Sequence, residues 1–180
     1  MPAPESRGGD AMGSARHDEE AWLVAFSTHG QRPALAGSHA ALFCRILARL
    51  HRRLDFRLYA FVVLPDRARL IVATPGGDAA SIERLAQRLR SRLGRELQWR
   101  TRWPGPVLRD AVTVAVAGRG ALLARRVDFL HRLPVLMGLV DDPCDWRWSS
   151  VRGWNGIGRA PAPLDGPGDG GSAMRPRGAA

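Results

Sequence analysis

The chain has 180 residues, 45% of them apolar, with a net charge of +10 and two cysteines. That length and composition suit one folded domain with a sizeable core, and they exclude wholesale disorder and a disulfide framework. All 27 basic residues are arginine, and such an excess of planar, permanently charged forks points to a polyanionic partner that is held bidentately.

Residues 1–20 are small and polar and are expected to be disordered. They contain no apolar stretch of the kind a secretory signal needs. No run in the chain approaches the ~20 apolar residues that span a bilayer. A cytoplasmic protein without a membrane partner is the expectation. Trp22 to Ser27 reads as a first strand. Ser38 is expected to cap a helix whose apolar positions are Leu42, Ile46, Leu47, Leu50 and Leu54. Cys44 falls inside that helix and reads as a reduced core thiol.

Leu58 to Leu64 is an almost unbroken apolar run, as in a strand covered on both faces. Pro65-Asp66 turns it, and Arg67 to Thr74 returns. Asp78 then caps a long helix with Ile82, Leu85, Leu89, Leu93 and Leu97 on one stripe. Val112 to Val116 makes a fourth strand, and Leu122 to Leu133 a third helix stopped by Pro134. The predicted class is α+β: a ferredoxin-like β-α-β-β-α-β antiparallel sheet with an extra C-terminal helix. Its helices lie on one face and the other face is partly open. From Gly153 onward, 12 of 28 residues are Gly or Pro, so 153–180 reads as a flexible tail and 21–152 as the folded unit.

Three segments carry a likeness to a known family. They are Leu64-Pro65-Asp66-Arg67-Ala68-Arg69, then Phe129-Leu130-His131-Arg132-Leu133-Pro134-Val135-Leu136-Met137-Gly138-Leu139-Val140, and last Asp145-Trp146-Arg147-Trp148-Ser149-Ser150. In order and spacing they resemble the single-tyrosine HUH transposases, in the REP-associated tyrosine transposase branch. The resemblance implies a DNA strand-transfer scaffold and a single-stranded or hairpin DNA partner. In that family two strand histidines and a polar helix residue hold a divalent metal such as Mg, and a tyrosine attacks the phosphate.

The departures fall on those positions. Arg67 and Arg69 stand for the histidines, Phe129 for the tyrosine and Leu133 for the asparagine. Guanidinium cannot ligate a cation, and phenylalanine has no attacking oxygen. No catalytic residue, no metal ligand and no cofactor is therefore expected. Tyr59, the one tyrosine, reads as a packing or sheet-edge residue, His131 as a packing or hydrogen-bonding one, and Asp66 as a turn cap. Arg67 and Arg69, two residues apart on a strand, share a face and are expected to hold phosphate.

Arg84, Arg88, Arg92 and Arg95 step along one helix face, and Arg100, Arg102 and Arg132 complete the expected nucleic-acid contacts. Trp99 and Trp103 interleave with them as candidate stacking platforms, or as caps of the core. The leading reading is a transposase-like DNA-binding protein without the chemistry. Alternatives are a strand-transferase with an unrecognised nucleophile, a non-enzymatic RNA- or DNA-binding regulator on the same fold, and a decaying remnant. No segment signals the oligomeric state, monomer or dimer.

Overall fold

The apolar periods translate directly into elements. A computed structural model describes residues 19–102 and 104–165. The elements are β1 (Ala21–Ser27), α1 (Ser38–His51), β2 (Arg57–Leu64), β3 (Arg67–Ala73), α2 (Ala79–Thr101), β4 (Thr113–Gly118), α3 (Gly120–Leu136) and a one-turn α4 (Val151–Trp154). The strands form one antiparallel sheet in the order β2-β3-β1-β4. The expected N-terminal disorder up to residue 18, Trp103 and the tail from residue 166 lie outside the described residues.

Alternation along the strands divides the sheet into two faces. Val24, Phe26, Leu58, Phe61, Val63, Ala68, Leu70 and Val72 face one way, into a core closed by the leucine stripes of α1 and α2. Each such buried valine, leucine or phenylalanine contributes roughly 1.5–3 kcal/mol of apolar transfer. Ala60, Val62, Leu64, Ile71 and Ala73 face the other way, against Leu123, Val127, Leu130 and Leu133 of α3. Helices therefore cover both faces, where the sequence reading put them on one. The third helix has its own apolar stripe, and the sheet's second face is the surface left to bury it.

Other boundaries differ for local reasons. Ser38 is the first helical residue of α1, not its cap; Gly37 precedes it at φ 55°, a left-handed backbone closed to serine. Leu54 lies beyond the end of α1 yet still packs on the core. Asp78 does cap α2, accepting the Ser81 N–H at 2.8 Å. Pro134 does not stop α3, which runs to Leu136. It sits in the last turn, so it costs only one intrahelical bond, to Leu130. The helix ends at Gly138 (φ 65°), whose N–H donates to Val135 O at 2.9 Å while Leu139 N–H reaches Pro134 O at 2.9 Å.

Residues 153–165, which fall in the expected flexible tail, are hydrogen-bonded to the sheet. Asp165 N–H donates to Leu58 O at 2.9 Å, and its carboxylate accepts the Leu58 N–H at 2.8 Å and meets His51 Nε2 at 2.6 Å. A Cβ on Gly153 would sit 3.1 Å from Ala160 Cβ and 3.2 Å from Leu164 Cδ1. That glycine therefore permits a close return of the chain, with Ala162 buried in the core beyond it.

Candidate nucleic-acid interface

α3 runs diagonally over the second sheet face and leaves one corner uncovered. It packs chiefly on β2. At the corner, Ser27 pairs with Arg67 and Ala25 with both Arg69 and Thr113. Ala25 and Ser27 are half-buried, and Thr113 and Ala115 are exposed. These short side chains make a shallow floor from which Arg67 and Arg69 rise. The 28–35 loop fixes its rim: Thr28 donates its N–H and hydroxyl to Asp66 O at 2.8 and 3.0 Å, and Leu35 N–H donates to Pro65 O at 2.8 Å.

The two arginines are not equivalent. Arg67 is held by Asp66, with Nε 2.9 Å from Oδ1 and Nη2 2.6 Å from Oδ2. These bonds draw the Asp66 carboxyl below the ordinary carboxylate range and raise Arg67. The carboxylate of Asp66 is thus an arginine clamp, where the sequence suggested a turn cap. Its backbone carbonyl accepts the Thr28 N–H and hydroxyl from the 28–35 loop. Arg69 is half-buried and has no hydrogen-bond or ion-pair partner among the described residues. Burial, and then the like charge of Arg67, lower its pKa, but a guanidinium stays cationic at neutral pH.

The flank of α3 that borders this corner is fixed by the opposite flank. His131 points to the outer edge of β2, where its Nε2 lies 2.7 Å from Ser150 Oγ and its ring meets Trp154 edge-on at 6.2 Å. At 100° per residue the reverse side carries Leu122, Arg126, Phe129 and Leu133. Leu133 is buried against the sheet, whereas Phe129 is half exposed. Helix rotation thus turns Phe129 and Leu133 away from the β2 edge, toward the side of the sheet where Arg67 and Arg69 lie on β3. Arg109 lies at the rim of the corner, its N–H donating to Ser27 O at 2.9 Å with an exposed side chain. Sequence reading did not single out Arg109 or Arg126, because only the strand register and the helix rotation turn them toward this side of the sheet.

The donor set does not fit a divalent metal: two guanidiniums and a leucine offer no lone pair. Among the described residues no group of three His, Cys, Asp or Glu side chains could hold one. Tyr59 is buried and its hydroxyl bonds to Arg57, with burial raising its pKa. It is a packing residue on β2. Cys44 is buried in α1, its thiol pushed up to about 12.

The remaining arginines divide by location. Arg132 is exposed on α3 and pairs with Asp128 at 3.0 Å. Arg84, Arg88, Arg92, Arg95 and Arg100 are exposed on α2, and Arg102 follows its end at φ 52°. α2 covers the opposite sheet face, so these six do not converge with Arg67 and Arg69. No described helix is long and apolar enough to cross a membrane.

The edge of β2 is closed by the Trp-Arg-Trp-Ser-Ser segment. Trp146 Nε1 donates to Val63 O at 2.9 Å, Val63 N–H to Trp148 O at 2.8 Å, and Trp154 Nε1 to Tyr59 O at 2.7 Å. Ser150 N–H donates to Phe61 O at 3.0 Å, and its hydroxyl oxygen accepts the Phe61 N–H at 2.9 Å. The Ser150 hydroxyl also reaches Phe61 O at 3.2 Å and shares a hydrogen bond with His131, whose imidazole burial keeps neutral by lowering its pKa to about 4.

No family model matches the sequence, and no curated protein matches it. Among solved structures, one of a REP-associated tyrosine transposase bound to a REP hairpin superposes with a TM-score of 0.62. The identity is 15%, and the match covers 89% of this chain and 94% of that one. A crystal structure of a transposase candidate from Deinococcus radiodurans is similar at a TM-score of 0.47 and 12% identity, covering 77% of this chain and 98% of that one. The first match establishes a shared α+β fold with a four-stranded antiparallel sheet, and the likeness read from the three sequence segments holds at that level.

Proposed function

We propose that this chain binds single-stranded or hairpin DNA in the open corner of its sheet and does not cleave it. The observation that carries the reading is Arg69: a half-buried guanidinium with no hydrogen-bond or ion-pair partner among the described residues, beside Arg67 on the same face. An uncompensated buried charge is costly, and a phosphate oxygen relieves that cost while accepting a bidentate bond. Arg67 adds a second positive charge beside it, its fork engaged by Asp66 until a phosphate competes for it. Phe129 presents half its ring at the border of the corner, where an unpaired base can stack.

The fold likeness supports the partner class, since the transposase that shares this fold is described bound to a REP hairpin. Donor chemistry supports the absence of cleavage. Where that family holds a metal, this corner has cations, and where it has a nucleophilic oxygen, this corner has a phenyl ring.

A salt-titrated binding assay tests the reading with a hairpin single strand, its scrambled linear form and a duplex of equal length. Tighter binding to the hairpin at physiological salt is expected, with no cleaved or covalently attached strand when Mg²⁺ is added. Equal and steeply salt-dependent binding to all three would reduce the arginines to general phosphate attraction.

A further inference from the structure

The outer side of α2 carries a row that the corner does not use. At 100° per residue, Arg84, Arg88, Arg92, Arg95 and Trp99 fall within about 40° of one line, and they span about 22 Å at the helical rise. Trp99 is 76% exposed, the most exposed large apolar side chain among the described residues. The Arg100 guanidinium lies 5.6 Å from the centroid of its ring.

Acid meets the row only at its start, where the Asp78 carboxylate, held by Ser81, acts on Arg84 and Glu83 lines the adjoining groove. Arg88 and Arg92 are exposed and have no hydrogen-bond or ion-pair partner among the described residues. Arg84 donates only to Ser81 Oγ at 2.9 Å, and Arg95 only to Ser91 O at 3.2 Å. Glu96 is taken by Arg49, with Arg100 3.8 Å away. Beside the row, shallow grooves open between α2 and the chain on its β4 side, one walled by Arg84, Arg88 and Val112, another by Arg90, Arg95 and Val107.

We propose that this row is a second single-strand DNA surface, so that one molecule holds two DNA segments, one on each face of the sheet. Guanidiniums spaced about 6 Å apart along the helix follow the phosphates of an extended strand. Trp99, backed by Arg100, stacks a base at the end of the row, and this contact tolerates any sequence. The row itself uses none of the corner's residues; only the simultaneous grip on two segments rests on the corner reading.

Native mass spectrometry of the full chain with a short thymidine oligonucleotide, too short to pass around the sheet, reads the stoichiometry. Two oligonucleotides per wild-type chain are expected at saturation. The variant Arg88→Ala/Arg92→Ala/Trp99→Ala changes only exposed positions, and circular dichroism verifies its fold. It should bind one oligonucleotide, and so should Arg67→Ala/Arg69→Ala, while the combined variant should bind none. If the α2 variant still takes two, or the wild type takes only one and loses none of its affinity in the α2 variant, the second surface is overturned. If the α2 variant drops to one while the corner variant keeps two, the row stands and the corner reading fails. A tighter grip of the row on uridine RNA than on thymidine DNA would overturn the assignment to DNA.

Discussion

The two flanks of α3 treat polar groups in opposite ways. On the His131 flank the polar groups meet one another: Ser150 answers both backbone groups of Phe61 and the imidazole, and two indoles close the β2 carbonyls on either side. On the Phe129 flank, Arg67 has Asp66, and Arg69 has no hydrogen-bond or ion-pair partner among the described residues. A region that only holds the fold together satisfies itself internally, because an unmet buried group costs stability. A charge left unmet on an open floor can be satisfied from outside. The contrast separates the closed scaffold from the flank on which the proposed DNA contacts lie.

The largest expected effect lies on the closed flank and is set by pH. Unfolded histidine takes up a proton near 6.5 and folded His131 only near 4. Between these values the unfolded chain binds more protons, so stability falls as pH is lowered through that window and is unaffected by this group above it. The loss approaches about 3 kcal/mol at the acid end. Urea melts across the window should show this slope, and His131→Gln should flatten it. A wild-type curve with no slope there would mean that the imidazole is not held neutral.

Next in size is Ser150→Ala. It strands the Phe61 N–H and the His131 ring nitrogen together, at a cost of about 2 kcal/mol in a denaturant melt. A change below a few tenths would contradict the closed network. On the open flank, Asp66→Asn should act in the other direction. It removes the carboxylate that occupies Arg67 and repels phosphate, so hairpin affinity should rise about fivefold, or ~1 kcal/mol, by fluorescence anisotropy. Weaker binding would show that Asp66 serves by orienting Arg67, not by competing for it.

The sequence reveals the order of elements because the periods are strong: five apolar positions spaced by 3 or 4 make α2, and the run through Leu64 makes a central-looking strand. It also reveals that Arg67 and Arg69 share a face, which alternation alone requires. It does not reveal which face α3 takes, and so it cannot separate those two arginines from the row on α2. Pro134 misleads because a proline in the last turn costs little and local reasoning does not see the Gly138 cap. Residues 153–165 mislead because their Gly and Pro content reads as a tail. Asp165, however, bonds to Leu58, 107 positions away, and no local signal carries that contact.

The central claim, that paired guanidiniums in the sheet corner take the place of a metal against DNA phosphate, is tested most directly by Arg67→Ala/Arg69→Ala. Its binding to a single-stranded hairpin would be measured across a salt series. The expected result is weaker binding, with a logarithmic salt slope about 1.4 shallower, at ~0.7 for each of two lost phosphate contacts on a single strand. The same affinity and slope as the wild type would contradict it.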